Sequence, residues 1–406
     1  MIDLKINNLT EAIENKMDRS KWITYKFSDL VDNIVEKVVP KNSGLQHYIG
    51  LEHLDAGSLK IKRFGVTESL IGDKLKIFKG DLIFAKRNSY LKRVAIADFD
   101  AIASAHSMVL RPKTKNVDPK FLPFFMMSEI FWKRAIEISV GSLSPTINWK
   151  SLAKQEFLLP PKAEQTRLAA LLWAIDEVIE KEKVVLERLN NYFLSKLNSL
   201  FWDLRVANQK TKFGSIPIHW QLVRLEEVSK KIGDGIHSTP NYVENSNFRF
   251  INGNNINDSK IQFTDRTQFV SEQEFSKYNL KLEKGTILMS INGTIGNLGF
   301  YNGEDVILGK SVAYITPTHD KLYNEYLYFL LQTKKIIDFY YRELTGTTIS
   351  NLSLKSIRNT PVPLPPFDEQ ILIANSARQL VELLTKGKTK LAFSQSLQKS
   401  LINQIF

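Results

Sequence analysis

From Lys162 onward, apolar residues fall at Leu168, Leu172, Ile175, Ile179, Leu186, Leu189, Phe193 and Leu200. The steps are three, four or their sum, and Leu171, Val178, Val185 and Tyr192 widen the stripe. That spacing predicts one continuous amphipathic helix with a heptad-like seam. A looser copy runs through Ile373, Ala377, Leu380, Leu384, Leu391, Leu401 and Ile405, with Gly387 as a weak point. Ahead of each helix the pattern is different. Short β-rich runs bounded by Gly and Asn, at 76–87 and 284–294, predict strands joined by tight turns. Aromatic-rich stretches with helical spacing, 121–138 and 327–341, predict one buried helix apiece, their rings serving the core. The fold class expected is α+β: two tandem α/β domains and two long helices.

The two halves are copies. Pro160-Pro161-Lys-Ala-Glu164-Gln165 and Pro365-Pro366-Phe-Asp-Glu369-Gln370 stand 205 positions apart, and each opens a long helix. Prolines before a helix and Glu in its first turn are ordinary helix-start chemistry. At the same offset Gly141, Lys150 and Ser151 align with Gly346, Lys355 and Ser356, and a Phe follows each Gln by 36 residues. The period is domain-sized, so one activity is expected to be used twice. The division expected is an N-terminal segment (1–20), a first domain (21–158), a helical spacer (159–205), a second domain (206–362) and a second spacer (363–406). A lone amphipathic helix of about 55 Å cannot bury its own stripe. Antiparallel pairing of the two would satisfy both and hold the domains apart; the alternative lays each helix across its own domain.

Composition narrows the function. Lys plus Arg number 55 against 43 Asp plus Glu, a net charge of +12 that suits a polyanionic partner. With no cysteine, disulfides, thiolate zinc sites and Cys nucleophiles are excluded, which suits a reducing cytoplasm. No apolar run reaches the roughly 18 residues of a membrane span, and the start lacks an export signal. Catalytic motifs are near misses. Gly303 to Ser311 resembles a phosphate loop, but five residues separate the glycines where four are required. Leu364-Pro-Pro-Phe has Leu where an amino-methyltransferase needs Asn or Asp. The six histidines are scattered without metal-ligand spacing. The chain reads as a binder with no cofactor and no metal.

At this point the residues carry a resemblance. The repeated Pro-Pro-x-x-Glu-Gln helix starts resemble the specificity subunit of type I DNA restriction–modification enzymes, over the whole chain. Tyr48-Ile-Gly-Leu-Glu-His-Leu54 and Gly80-Asp-Leu-Ile-Phe-Ala-Lys-Arg87 resemble hallmarks of the same family. So do Asp234-Gly-Ile-His237-Ser-Thr-Pro240 and Phe250-Ile-Asn-Gly-Asn-Asn-Ile256. The resemblance implies a non-catalytic, cytoplasmic subunit whose two recognition domains read a split site on double-stranded DNA. It further implies two modification (methyltransferase) subunits and restriction subunits as partners. The rival reading is a coiled-coil adaptor that does not respond to DNA sequence. A fused catalytic segment is not expected, because the two repeats take up the sequence.

Candidate DNA contacts follow from residue chemistry and the resemblance together. Lys86, Arg87, Asn88, Ser89, Tyr90, Lys92 and Arg93 form a turn after a strand, with four cations, no acid and polar readers between them. Arg and Lys bind phosphate or guanine and Asn pairs with adenine; the bland alternative is a solvated face. The counterpart turn holds Asn292 and Thr294 without charge, leaving Lys310 or Arg249 as its cationic contacts. His237 belongs to the family-like segment. Ser142 and Ser144, and Thr347, Thr348 and Asn351, lie on polar loops suited to phosphate. Leu168, Leu172, Ile175, Ile179, Leu380 and Leu384 are the expected docking residues for modification subunits.

Overall fold

A computed structural model describes residues 19–68, 70–202, 208–345 and 350–406. The chain divides into two compact units, 1–184 with 388–406, and 185–387. The cuts fall inside the long helices, so each unit holds one sheet-rich domain and a stretch of both helices. The boundaries expected at 158/159 and 362/363 fall within strands, Glu156–Leu159 and Pro361–Leu364.

In the first unit a four-stranded sheet runs in the order Val31–Ile34, Ser107–Pro112, Leu82–Ala85, Val94–Ile96, all antiparallel. Leu82–Ala85 is buried throughout and therefore reads as a continuous apolar run. A second sheet orders Lys37–Val38, Lys74–Ile77, Ala101–Ala103, His47–Ile49 and Gly65–Val66, with His47–Ile49 parallel to Ala101–Ala103. The second unit repeats the plan. Ser229–Asp234, Val312–Pro317, Ile287–Ser290 and Leu298–Phe300 form one sheet. Tyr242–Val243, Gln268–Val270, Phe248–Ile251 and Val306–Leu308 form the other, its last pair parallel. In each unit a strand near the domain's start pairs with the strand before the long helix: Ile23 opposite Leu159, and Gln221 opposite Leu364.

The aromatic-rich stretches are not single helices. Each is two short ones, Leu122–Met127 and Glu129–Glu137, then Asn324–Leu330 and Lys334–Glu343. The breaks are Ser128 and Thr333, both with extended backbone. Their hydroxyls donate back to Phe125 O and Leu330 O at 2.7 Å in each case, ending one helix while the next begins. Apolar spacing carries across such a break and conceals it.

The long helices are Lys162–Trp202 and Phe367–Ile405. In the first unit Gln398 bonds Asp176 and Lys390 pairs with Glu182, so one number rises as the other falls: the helices are antiparallel. In the second, Gly387 faces Leu186, and a side chain added there would meet the Leu186 methyl at 3.2 Å. Gly387 thus lets the partner helix approach closely.

The repeated Gln fixes each helix start to its domain. Gln165 and Gln370 are both 1% exposed. The Gln165 amide oxygen accepts from Asp118 N and its nitrogen donates to Pro160 O, at 2.8 and 2.9 Å. Gln370 does the same with Tyr323 N and Pro365 O, at 2.8 and 3.1 Å, and adds Lys321 O at 2.9 Å. The neighbouring Glu differs between copies: Glu369 accepts from Trp220 Nε1 at 3.2 Å, whereas Glu164 pairs with Arg167 on its own helix.

The six apolar residues assigned to partner docking need correction. Leu168 and Leu172 are buried in the first unit's own core, with Ile175 packed against it, and Ile179 is 2% exposed. Leu384 lies in the second unit's core with Leu380 against it. Intramolecular packing consumes the seam. What it leaves exposed is the flank: Leu171 and Val178 in the first unit, Val185 and Tyr192 in the second.

Candidate nucleic-acid interface

The same backbone device recurs in both units. In the first, the turn after Leu82–Ala85 pairs Arg87 with Thr146, and Thr146 pairs with Val140. Ile147 N donates to Lys86 O at 2.9 Å. In the second, Asn292 pairs with Asn351, Asn351 with Thr345, and Leu352 N donates to Ile291 O at 2.9 Å. Every one of these partners is shifted by 205. The post-strand turn and the polar loop before the helix, separate in sequence, therefore form one surface in each unit.

In the first unit that surface is cationic. The Arg87 guanidinium lies 3.3 Å from His106 Nε2 and 3.4 Å from Ser144 Oγ. Burial pushes the Lys86 ammonium below its ordinary value. His106 is lowered by desolvation first and then by Arg87, Lys86 and Lys74, so its imidazole is held neutral among cations. Ser142 and Tyr90 are exposed beside them in the same two loops. Asn88 and Lys92 adopt left-handed backbone at φ 55° and 49°, bending the turn. His106 carried no sequence signal, since it sits alone in an apolar run.

Three residues of this turn are engaged elsewhere. Ser89 is buried, its N–H donating to Pro145 O. Arg93 turns inward and donates to Leu51 O at 2.6 Å. Lys92 is paired with Glu129. Ser89 and Arg93 hold the turn in shape, and Ser89, 1% exposed, offers no surface for the contact expected of it; charge spacing along a turn does not reveal which cations point in.

In the second unit the surface is an open cavity of about 330 Å³ whose wall includes His237, Asn292, Lys310 and Asn351. Four loops supply these four residues. The His237 ring nitrogen is 3.0 Å from an Asp234 carboxylate oxygen, also in the wall. Thr294 is exposed on the same turn. Thr347 and Thr348 lie outside the described residues. Arg249 is committed to aromatic faces, 4.3 Å from the Phe263 ring centre and 5.2 Å from that of Phe269. Lys310 is the cation that remains on this wall.

The chemistry available is recognition. Guanidinium, ammonium, imidazole, amide and hydroxyl groups are presented from turns on sheets, the donor set that meets phosphates and base edges. Among the described residues, no group of three or more His, Asp or Glu side chains is placed to hold a metal. Nor is any described helix long and apolar enough to cross a membrane.

Comparison with known proteins agrees with this geometry. The family model for the type I restriction modification DNA specificity domain matches twice, at residues 20–191 and 217–392. The type I restriction enzyme MjaVIII specificity subunit of Methanocaldococcus jannaschii is 25% identical over 316 residues, 74% of this chain and 72% of the relative. The MjaIX specificity subunit of the same organism is 23% identical over 344 residues, 81% and 76% of the two chains. Among solved structures, a chain from work on complex assembly and conformational transition of the type I restriction–modification system aligns with a TM-score of 0.61. It is 20% identical and covers 94% of this chain and 98% of its own length. The S subunit of a type I system from M. genitalium, at 20% identity and 97% of both chains, gives 0.53. With both repeats matched, the chain belongs to the type I restriction modification DNA specificity family.

Proposed function

We propose that this chain is the non-catalytic DNA-reading subunit of a type I restriction–modification complex. Each unit reads one half of a split site on double-stranded DNA. The observation carrying this reading is the duplicated pairing of the post-strand turn with the pre-helix loop. It offers Arg87, Lys86 and Ser144 in one unit and Asn292, Lys310 and Asn351 in the other. The differing side chains on one backbone device suit two different half-sequences. Arg87 and Lys86 suit phosphate or guanine, and the Asn pair suits adenine. His237, Asn88, Tyr90, Ser142 and Thr294 sit in the same loops and are assigned to the same contact, with Thr347 and Thr348 retained from sequence.

The partners assigned are two modification subunits, supplying methyl transfer, and restriction subunits, with the whole acting in the cytoplasm. Docking of the modification subunits belongs to the exposed flank of the long helices, Leu171 and Val178 in one unit and Val185 and Tyr192 in the other, rather than to the buried seam. The test is a pair of measurements. The purified chain is titrated with duplexes carrying the host's methylated motif or a scrambled version, and methyl transfer is assayed with and without modification subunits. Preference for the motif, with transfer only in the complex, is the expected result. Equal affinity for both duplexes would favour the adaptor reading, and methyl transfer by the chain alone would end the non-catalytic assignment.

A further inference from the structure

The first unit's surface carries one side chain that phosphate binding does not use. Leu143 is 94% exposed, at the tip of the loop 141–145, and Val140 at its base is 66% exposed. A leucine left in water forgoes the free energy that burial would return. Scattered exposed apolar residues are common, but this one is held in place. Val140 and Thr146 exchange both backbone hydrogen bonds, at 3.0 and 2.9 Å. Within the loop, Thr146 Oγ1 donates to Ser144 O at 3.0 Å, and Gly141 takes the φ of +109° that the bend requires. The other side is fastened to the cationic turn, through Ile147 N to Lys86 O and Arg87 to Ser144 Oγ. The result is a hairpin with a bare apolar tip, tied at Ser144, the residue next to Leu143, to the Arg87 guanidinium.

An apolar tip beside a cationic turn has an uncommon complement: an anionic surface with an apolar interior within a side chain's reach. A DNA duplex meets that description, since its stacked bases lie beneath the phosphates. Apolar side chains entering between base pairs, with cations on the flanking backbone, are a general means of local unstacking. We propose that Leu143 is a wedge that enters a base step at or beside the half-site read by the first unit, while Arg87 and Lys86 hold the adjacent phosphates. This rests on the DNA-reading function proposed above. It implies that the first half-site is selected partly for how easily one step opens, which pyrimidine–purine steps do best.

The test uses the full-length chain without modification subunits, so that unstacking has no other source. Duplexes carrying the host's methylated motif receive 2-aminopurine one position at a time across both halves and their flanks. With the natural chain, one position should brighten several-fold on binding, reporting lost stacking. Leu143→Ser should abolish that signal and weaken binding about tenfold, the loss expected for roughly half a leucine's burial. Leu143→Phe should keep it. Because Leu143 touches solvent almost entirely, the Ser variant should melt with the natural protein, which separates wedge loss from misfolding. If the natural chain prefers its motif and no position brightens, or the Ser variant brightens it equally, the wedge is refuted while DNA reading stands. If the natural chain does not discriminate motif from scrambled duplex, DNA reading fails and the wedge with it.

Discussion

Replacing Gln370 with Leu should destabilise the second unit more than replacing Gln165 destabilises the first. The leucine is close in volume and apolar, so it fills the site without forming any of the bonds. In Gln370→Leu three backbone groups lose their partner: Pro365 C=O, which is buried, and Tyr323 N–H and Lys321 C=O, which are partly buried. In Gln165→Leu there are two, Asp118 N–H and Pro160 C=O. A buried group left unpaired costs about 1–3 kcal/mol, carbonyls less because a second lone pair relaxes more readily. The expectation is therefore about 3 kcal/mol for Gln370→Leu and about 2 kcal/mol for Gln165→Leu. For a unit of this size, about 3 kcal/mol lowers the melting temperature by roughly 6–12 °C. Calorimetry gives the melting shift, and amide hydrogen exchange reports the site, because Tyr323 and Asp118 should each lose protection in their own variant only. A Gln370→Leu protein melting within a degree or two of the natural one, with Tyr323 still protected, would show that the motif Gln does not fasten helix to domain.

Other expectations follow from the surfaces and the core. Replacing Arg87 and Lys86 with Ala should weaken DNA binding and flatten its salt dependence, each lost phosphate contact lowering the log–log slope by about 0.9; filter binding from 50 to 300 mM salt, a working range of about that width, checks it. Asn292→Ala with Asn351→Ala should leave the slope unchanged but cost about 1–3 kcal/mol of discrimination at one half-site, read from competition between motif and single-mismatch duplexes. His106 is held below its ordinary value by desolvation first and then by Arg87, Lys86 and Lys74; phosphates that neutralise those three cations should raise it when DNA binds. Its bound-state pKa then exceeds its free-state value, so affinity should rise as pH falls through the bound-state value, and His106→Asn should flatten that rise. Arg111 forks onto the buried Asp81 carboxylate at 2.8 and 2.9 Å; Arg111→Met should strand that charge and cost about 3 kcal/mol in urea titration.

The sequence by itself determined the duplication, the two long helices and the residues that open them. These features rest on local rules: a 3.6-residue period, prolines that start helices, and a fixed offset between copies. It also placed the post-strand turns and pre-helix loops as polar surfaces, because glycine, asparagine and serine announce turns wherever they cluster. Tertiary structure decided everything that depends on which way a side chain faces. The seam leucines were legible as apolar, but only packing showed that the chain covers them itself, leaving Leu171, Val178, Val185 and Tyr192 outside. Four cations in one turn look alike in sequence; the fold turns Arg93 inward, pairs Lys92 with Glu129 and leaves Arg87 at the surface. Ser128 and Thr333 ended helices that periodicity alone would have continued, since a hydroxyl's bond to the preceding turn leaves no trace in apolar spacing. His106, 19 residues from Arg87, joined the site because two strands pair. Periodicity is a property of neighbours along the chain, and sites are made by neighbours in space.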